Sequence, residues 1–266
     1  MKAFYLFIAC MTLVINHSAA QDAALNIGGA NLSIKPESLA EELSAGKLVT
    51  SQLMGTAKLV PNPRLQNYVN MVGRHIANQT DRKDLPWTFG VIDSTAVNAF
   101  AAPGGYILLT SALVQLLDTE DELAAVLAHE IAHVIRKHHY RVIRKQQMLE
   151  FGMNAVEIEG ADNAKKLSGM VAQILARGLD KSAEYEADRD GMVYAARAGY
   201  DASSMLRIME KLSAATAKDE ATQLLLSTHP TPAARQSALS AVVNADVEKA
   251  GVKSSASARF SLIFEK

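Results

Sequence analysis

The sequence contains two histidines four residues apart with a glutamate between them, in His129-Glu130-Ile131-Ala132-His133. On an α-helix this spacing places both imidazoles on one face, one turn apart, as a catalytic zinc ion requires, with the carboxylate beside them as a general base. The preceding residues predict that helix, because Thr119 and Glu122 form a capping-box pattern. Apolar residues then recur at helical spacing, at Leu123, Val126, Leu127, Ile131 and Val134.

A second motif follows about fifty residues downstream, in Glu184-Tyr185-Glu186-Ala187-Asp188. It lies in a run from about Ser182 to Ala198 that is typical of a helix, with Gly199 placed to end it. Glu184 can supply a third ligand, which gives two histidines, one glutamate and an open position for water, the pattern of hydrolytic zinc. Asp188, one turn further on, can accept the other ring N–H of a ligating histidine.

Together with three later features, the two motifs resemble metallopeptidase family forty-eight, the gluzincins that include the HtpX-like and CAAX prenyl proteases. The later features are His138, Gly191 and Thr228-His229-Pro230 with Arg235, and the resemblance covers roughly residues 55–240. It implies a zincin-like protease of the periplasmic, soluble type, with one zinc per chain. One departure is Asp180-Lys181, where many relatives have Ser-Arg, which puts a neighbouring polar contact in doubt but not the zinc site.

The resemblance leaves three roles open for His229: a surface or capping residue, a gate on the open zinc position, or a donor to the oxyanion. We favour the gate, because a loop histidine is an exchangeable ligand. Arg235, about one helical turn into the next element, is expected to help hold that loop. The gate and the oxyanion donor predict opposite effects of removing the imidazole.

The segment from Asn98 to Pro103 resembles the family segment that lines the substrate cleft. In zinc peptidases of this build, an extended peptide pairs with an exposed strand edge, and small side chains let its backbone approach. We therefore expect the substrate edge to be formed by Asn98, Ala99, Phe100 and Ala101. An ordinary hairpin strand is the alternative.

The chain has 266 residues, of which 49% are hydrophobic and 21% charged, enough for one sizeable core but not for two generous domains. The net charge of −1 argues against nucleic acid as a partner, because there is no basic excess to neutralise phosphates. The ten methionines are expected to fill the core. We expect one zinc metallopeptidase domain at 55–250, after a partly ordered N-terminal segment at 21–54 and before a tail at 251–266.

Residues 1–20 have the pattern of a signal peptide, with Lys2, an apolar stretch from Ala3 to Ile15, and the small residues Ser18-Ala19-Ala20 at the cleavage site. We expect export to the periplasm and no transmembrane span after cleavage, because no later apolar run reaches membrane-spanning length. The alternatives are an uncleaved membrane anchor and a lipoprotein acylated at Cys10. Cys10 is the only cysteine, so the cleaved chain would have no disulfide.

Periodicity predicts a helix after Pro63, strands at 87–92, 97–102 and 106–109, the zinc helix, and helices near 140–156, 168–178, 182–198, 202–217 and 232–249. Residues 21–35 are expected to be loosely ordered, and residues 157–168 to form a loop that could act as a lid. The expected fold class is α+β and mainly helical. It is a zincin-like catalytic domain with a small, mostly antiparallel sheet packed on the zinc helix.

The sequence therefore predicts an exported zinc-dependent endopeptidase. Glu130 would take a proton from zinc-bound water as this water attacks the scissile carbonyl, and pass it to the leaving amine. The resemblance implies quality control at the cell envelope, with misfolded or stalled outer-membrane proteins as substrates and the outer-membrane assembly machinery as a candidate partner. The alternatives are a zinc-stabilised chaperone or binding module with little turnover, and a prenyl-peptide or small-molecule hydrolase, which is disfavoured because no membrane cavity is encoded.

Overall fold

A computed structural model describes residues 23–27, 30–34, 38–151, 169, 178–215, 220–229, 231–240, 260 and 263. The predicted signal peptide, the predicted loop at 157–168, most of the predicted helix at 168–178 and the end of the helix predicted at 232–249 lie outside these residues. The chain divides into two compact units, Met1–Glu37 and Ser38–Lys266.

The first unit contains an antiparallel hairpin of β1 (Ala23–Ile27) and β2 (Ala30–Ile34). This hairpin lies within residues 21–35, which were expected to be loosely ordered. Gly28-Gly29 separates the two strands in the sequence, a pair typical of two-residue hairpin loops.

The second unit is mainly helical with one small sheet, which confirms the predicted fold class. Its elements are α1 (Leu39–Thr56), α2 (Pro63–Ala77), β3 (Thr88–Ile92), β4 (Ala99–Ala102), β5 (Tyr106–Thr110), α3 (Ser111–Leu116), α4 (Glu120–Ile135), α5 (His138–Phe151), α6 (Lys181–Arg197), α7 (Ser204–Ala215), α8 (Glu220–Thr228) and α9 (Pro232–Ser240). No helix among the described residues is both long enough and apolar enough to cross a membrane.

The three-stranded sheet has the order β3-β5-β4, and it is mixed rather than mostly antiparallel. β4 and β5 form the expected antiparallel hairpin, whereas β3 pairs with β5 in parallel. The parallel pair arises because the chain leaves β3, forms β4 at the far side and returns through β5 between them. β5 is accordingly apolar along most of its length, as a central strand covered on both faces should be.

Alternate side chains of the sheet belong to two different cores. Phe89, Val91, Ala101 and Ile107 lie in the large core with α2 and α4, whereas Phe100, Ala102 and Leu108 pack with side chains of α1 and α5. The sheet is therefore a middle layer with helices on both faces. The helix α4 is buried along almost its whole length, which places the predicted zinc helix at the centre of the unit.

Thr119 is the N-cap of α4, as predicted, and its Oγ1 accepts a hydrogen bond from the N–H of Glu122. The Glu122 carboxylate turns back and accepts from the N–H of Asp118 at 2.7 Å. These bonds satisfy backbone donors that a helix start leaves without partners. At the other end, Lys137 adopts a positive φ of 56°, which ends α4 and turns the chain before α5 begins.

The helix α1 was not predicted, and it crosses the boundary expected between residues 54 and 55. Its buried stripe consists of Glu42, Gly46, Val49 and Leu53, and a stripe that begins with a charge and a glycine gives little apolar periodicity. Arg82 donates two hydrogen bonds to the buried Glu42 carboxylate, at 2.8 and 3.0 Å. The Gly104 N–H also donates to Glu42, which ties α1 to the turn between β4 and β5.

Candidate metal centre and catalytic site

The helix α4 presents His129 and His133 on one face, as the spacing predicts. Their Nε2 atoms are 3.0 Å apart, and both residues are buried. Two imidazole nitrogens at this separation cannot both be protonated without strong repulsion, so at least one of them presents a lone pair to the other. The helix thus places the Nε2 atoms of His129 and His133, two potential metal ligands, next to each other.

Glu184, in the first turn of α6, reaches the same point. Its Oε2 lies 3.7 Å from His129 Nε2, and its Oε1 lies 3.5 Å from His133 Nε2. The Glu184 side chain is completely buried, and Oε1 has no hydrogen-bond partner among the described residues. A buried carboxylate oxygen without a partner is costly unless another group, such as a metal ion, satisfies it.

The approach of α6 to α4 depends on a glycine. A Cβ atom placed on Gly191 would lie 2.9 Å from the backbone nitrogen of His129 and 3.0 Å from its Cα. Asp180 begins the helix, because its Oδ1 accepts from the N–H of Ala183 at 2.9 Å. The residue that departs from the family pattern is therefore a helix cap.

Asp188 contacts the outer nitrogen of the His129 ring. His129 Nδ1 donates to Asp188 Oδ1 at 2.9 Å, which leaves the lone pair of Nε2 pointing toward Glu184. Burial and Arg235 lower the pKa of His129, but the hydrogen bond and charge of Asp188, with the charge of Glu184, outweigh them and raise it. Asp188 in turn accepts from Arg235 Nε at 2.9 Å and Nη2 at 2.5 Å. Arg235 thus contacts Asp188, which is itself hydrogen-bonded to the predicted ligand His129.

His133 is contacted by His138, one of the residues that carry the family resemblance. Its Nδ1 lies 2.8 Å from Nδ1 of the buried His138, whose Nε2 lies 3.3 Å from Glu186 Oε2. The turn at Lys137, where φ is positive, brings His138 onto His133. The signal for this contact, a histidine five residues after His133, was in the sequence but needed the end of α4 to be known.

His229, just after α8, also reaches the group. Its Nδ1 donates to Glu184 Oε2 at 2.5 Å, and its ring centre is 5.7 Å from that of His129. Burial opposes ionisation of Glu184, but the charge and hydrogen bond of His229 outweigh it and lower the pKa of Glu184 to about 2. The backbone of the preceding Thr228 lies directly against Gly178, which has a φ of +69°.

Glu130 lies beside this group and is 3% exposed. Burial raises the pKa of its carboxyl group. A carboxylate with a raised pKa is a better proton acceptor than an exposed one, which suits a general base. Burial and the neighbouring imidazoles hold the pKa of His133 well below its usual value, so this ring is neutral, as a metal ligand must be.

The predicted substrate edge corresponds to β4. Asn98 precedes the strand, and its backbone exchanges hydrogen bonds with Thr110. The Asn98 side chain is completely buried, and neither its oxygen nor its nitrogen has a hydrogen-bond partner among the described residues. Ala99 and Ala101 face the core that contains α4, whereas Phe100 faces α1.

Among the described residues, His129, His133, Glu184 and His229 form one group whose ligand atoms all lie within 4.8 Å of one another. Such a group could hold a metal ion. The structure thus brings together the three predicted ligands, the loop residue His229, and Asp188 and Arg235, which contact each other beside His129. These residues come from α4, α6, α9 and the segment after α8.

The chain matches the model of peptidase family M48 over residues 63–243. It is 32% identical over 233 residues to the beta-barrel assembly-enhancing protease of Yersinia pestis, covering 82% of this chain and 46% of the relative. The Escherichia coli (strain K12) protein of the same name is 30% identical over 210 residues, 74% of this chain and 43% of the relative. The mitochondrial metalloendopeptidase OMA1 of Schizosaccharomyces pombe is 30% identical over 171 residues, 61% of this chain and 48% of the relative. The chain spans less than half the length of these relatives. Because the family model matches more than half of the chain, the chain belongs to peptidase family M48.

Proposed function

We propose that the chain is a zinc-dependent endopeptidase that holds one zinc ion through His129, His133 and Glu184. One observation carries the proposal: three ligand atoms meet at one point while the outer nitrogen of each histidine is already hydrogen-bonded. Asp188 occupies Nδ1 of His129 and His138 occupies Nδ1 of His133, so both Nε2 atoms are left for a metal. Two nitrogens and one carboxylate suit zinc and leave a position for water.

The residues around this point fit peptide hydrolysis. A zinc ion bound there would lower the pKa of a water molecule and polarise the scissile carbonyl. Glu130 accepts the proton of the attacking water and delivers it to the amine that leaves. Burial in this site raises the pKa of Glu130, so its conjugate acid is able to return the proton.

The strand β4 is proposed to bind the extended substrate through its free edge. β4 is the edge strand of the sheet, and among the described residues it pairs with β5 on one side, so its other side is the one that a peptide backbone would join. Pairing along a strand recognises backbone groups, which every unfolded chain presents. Unfolded and misfolded proteins are therefore the proposed substrates.

The proposed cellular role is quality control at the cell envelope, with stalled outer-membrane proteins among the substrates and the outer-membrane assembly machinery as partner. Two relatives are named for beta-barrel assembly, which supports this role. Export to the periplasm by a signal peptide at residues 1–20 is part of the same proposal, with a membrane anchor or acylation at Cys10 as the other arrangements. A zinc-stabilised chaperone with little turnover is the second candidate function.

A turnover experiment separates the two functions. The zinc-loaded protein is incubated with an unfolded reporter protein, with and without a chelator, alongside Glu130→Gln and the matched control Glu210→Gln, an exposed glutamate in α7. An endopeptidase cleaves the reporter in a chelator-sensitive way. Glu130→Gln keeps its zinc and loses about 10² to 10⁴ in rate, the usual contribution of general-base assistance, while Glu210→Gln is unaffected. Suppressed aggregation without cleavage by the parent protein would indicate the chaperone instead.

A further inference from the structure

We infer that Glu42 of α1 is a positioning residue for the proposed reaction, because its buried carboxylate holds both the end of the strand β4 and the turn before His138. The inference rests on the proposed function, in which β4 binds the substrate and His133, the neighbour of His138, binds zinc. It gives α1 a part in peptide binding and in metal binding, although the proposed ligands and the general base lie in other helices.

The Glu42 carboxylate is fixed in place by Arg82. The Glu42 side chain is 1% exposed, and Arg82 donates one hydrogen bond to each of its oxygens, at 2.8 Å to Oε1 and 3.0 Å to Oε2. A two-pronged pair of this kind sets the orientation of a carboxylate as well as its position. Each oxygen can accept a second bond, since an ionised carboxylate has about four lone-pair sites. The second partners of the two oxygens are therefore what Glu42 can position.

The second partner of Oε1 is the turn at the end of β4. The Gly104 N–H donates to Glu42 Oε1 at 3.2 Å, two residues after Ala102, the last residue of the strand. Steric contact supports this bond, because a Cβ atom on Gly46 of α1 would overlap the carbonyl group of Pro103. The helix α1 thus holds the turn at two points, one helical turn apart. Since β4 has one strand neighbour among the described residues, its position depends on this turn as well as on β5.

The second partner of Oε2 is the turn between α4 and α5. Lys137 Nζ lies 3.8 Å from Glu42 Oε2, an ion pair that is longer than a hydrogen bond. Lys137 has a φ of 56°, which strains a residue that has a side chain and must be offset by neighbouring contacts. The next residue is His138, whose Nδ1 lies 2.8 Å from that of His133. Glu42 therefore acts on the proposed ligand through two intermediate residues, so we expect a smaller effect on the metal than on β4.

Glu42→Gln tests the inference, because the amide keeps the shape of the side chain but carries no charge and cannot accept both bonds of Arg82. The matched control is Glu120→Gln. Glu120 is a second fully buried glutamate, but it accepts from the hydroxyl groups of Tyr68 and Tyr200 instead. Both variants should unfold at a lower denaturant concentration than the parent. A loss of stability alone therefore cannot explain a difference between them in the folded state.

Peptide binding is measured with zinc-loaded Glu130→Gln, which holds a substrate without cutting it. Adding Glu42→Gln to this variant should raise the Kd for an unfolded peptide about two- to tenfold, the usual contribution of one hydrogen bond. Adding Glu120→Gln should leave the Kd unchanged. With Glu130 intact, Glu42→Gln should raise KM and change kcat little, because it displaces the strand that binds substrate rather than the groups that react. An unchanged Kd, or an equal increase in both variants, overturns the inference.

Zinc affinity is measured by competition with a chelator and needs no substrate. Glu42→Gln should bind zinc severalfold less tightly than the parent, but more tightly than His138→Ala. Lys137→Met should have the same effect as Glu42→Gln, and combining the two should cause no further loss, because both remove the same ion pair. Lys145→Met removes an exposed lysine of α5 and should not change the affinity. Additive losses, or an affinity equal to that of the parent, contradict the link to His133.

The outcomes separate the inference from the proposed function. If the parent binds zinc and cleaves an unfolded reporter, while Glu42→Gln matches Glu120→Gln in Kd and in zinc affinity, the inference alone is overturned. A parent that binds no zinc or cleaves no reporter overturns the proposed function and the inference with it. If Glu42→Gln does not fold, Lys137→Met decides the link to the metal, and a zinc affinity equal to that of Lys145→Met contradicts it.

Discussion

Gly191 of α6 lies directly against the backbone of His129 in α4. A Cβ atom at position 191 would stand 2.9 Å from the His129 nitrogen, closer than real Cβ atoms come to other atoms. The backbone of the helix that carries Glu184 therefore touches the backbone of the helix that carries both histidines. Since neither backbone can give way like the end of a flexible side chain, the spacing of the ligands depends on this contact.

Gly191→Ala should therefore weaken zinc binding. The methyl group must push α6 away from α4, which moves Glu184 from its position 3.5 to 3.7 Å from the two histidine nitrogens. We expect zinc affinity to fall by at least about tenfold, together with a loss of 1–3 kcal/mol in stability from overpacking. Zinc affinity is measured by competition with a chromogenic chelator. Stability is measured by denaturant unfolding of the zinc-free protein.

Gly55→Ala is the matched control, because a Cβ at Gly55 in α1 would meet nothing within 4 Å. It should leave zinc affinity unchanged and stabilise the helix slightly, by about 0.5–1 kcal/mol. If Gly191→Ala bound zinc as tightly as Gly55→Ala, the helix contact would not be what sets the ligand spacing.

The sequence predicted the parts of the site that lie within one helix. His129 and His133 share a face because both lie in α4, and Glu184 and Asp188 lie one turn apart because both are in α6, so spacing alone places each pair. The contact between α4 and α6 could not be predicted from the sequence, because Gly191 has no side chain that would contribute to a hydrophobic pattern. The contact of His138 with His133 could not be predicted either, because it depends on the turn at Lys137 and so on where α4 ends.

The errors in the fold have similar physical causes. The parallel pairing of β3 with β5 follows from the order of the strands in space, which alternation along each strand cannot reveal. The helix α1 was missed because Glu42 and Gly46 occupy its buried face. The buried Glu42 is stabilised by partners distant in the sequence, Arg82 and the Gly104 N–H. Burial of a charge depends on its partner rather than on its own residue type.

Glu184→Gln should strongly weaken the retention of metal. The amide keeps the shape of the side chain but loses the negative charge and one acceptor, and a neutral amide is a poor ligand for zinc. The variant should lose its zinc under mild chelation that leaves the parent loaded, as metal analysis after dialysis would show. Full occupancy in the variant would mean that the third ligand has been assigned wrongly.

His138→Ala tests whether an outer partner is needed to orient His133. Removing its Nδ1, which lies 2.8 Å from that of His133, frees the ligand ring to rotate and to change tautomer. We expect zinc affinity to fall about 10- to 100-fold, the usual effect of losing such a partner.

His138→Gln offers another acceptor at a similar reach and should recover part of this affinity. His75→Ala, an exposed histidine that hydrogen-bonds to the Ala198 carbonyl, should have no effect on zinc binding. An affinity for His138→Ala equal to that of the parent would leave His138 as a packing residue only.

The last prediction concerns the hydrogen bond from His229 to Glu184. It places an imidazole against a proposed ligand, with a ring centre 5.7 Å from that of His129, and this is the position from which a gate would act. His229 lines a small pocket together with His129 and Glu130, so displacing the segment that carries His229 would uncover the metal position. If the gated form dominates at rest, His229→Ala should raise hydrolysis of an unfolded substrate on the order of tenfold, with unchanged zinc content. A marked loss of activity would instead support stabilisation of the oxyanion, which costs about 10²–10³ in rate when one donor is removed. Equal activity would make His229 a structural residue, whose bond to Glu184 does no more than fix the end of α8.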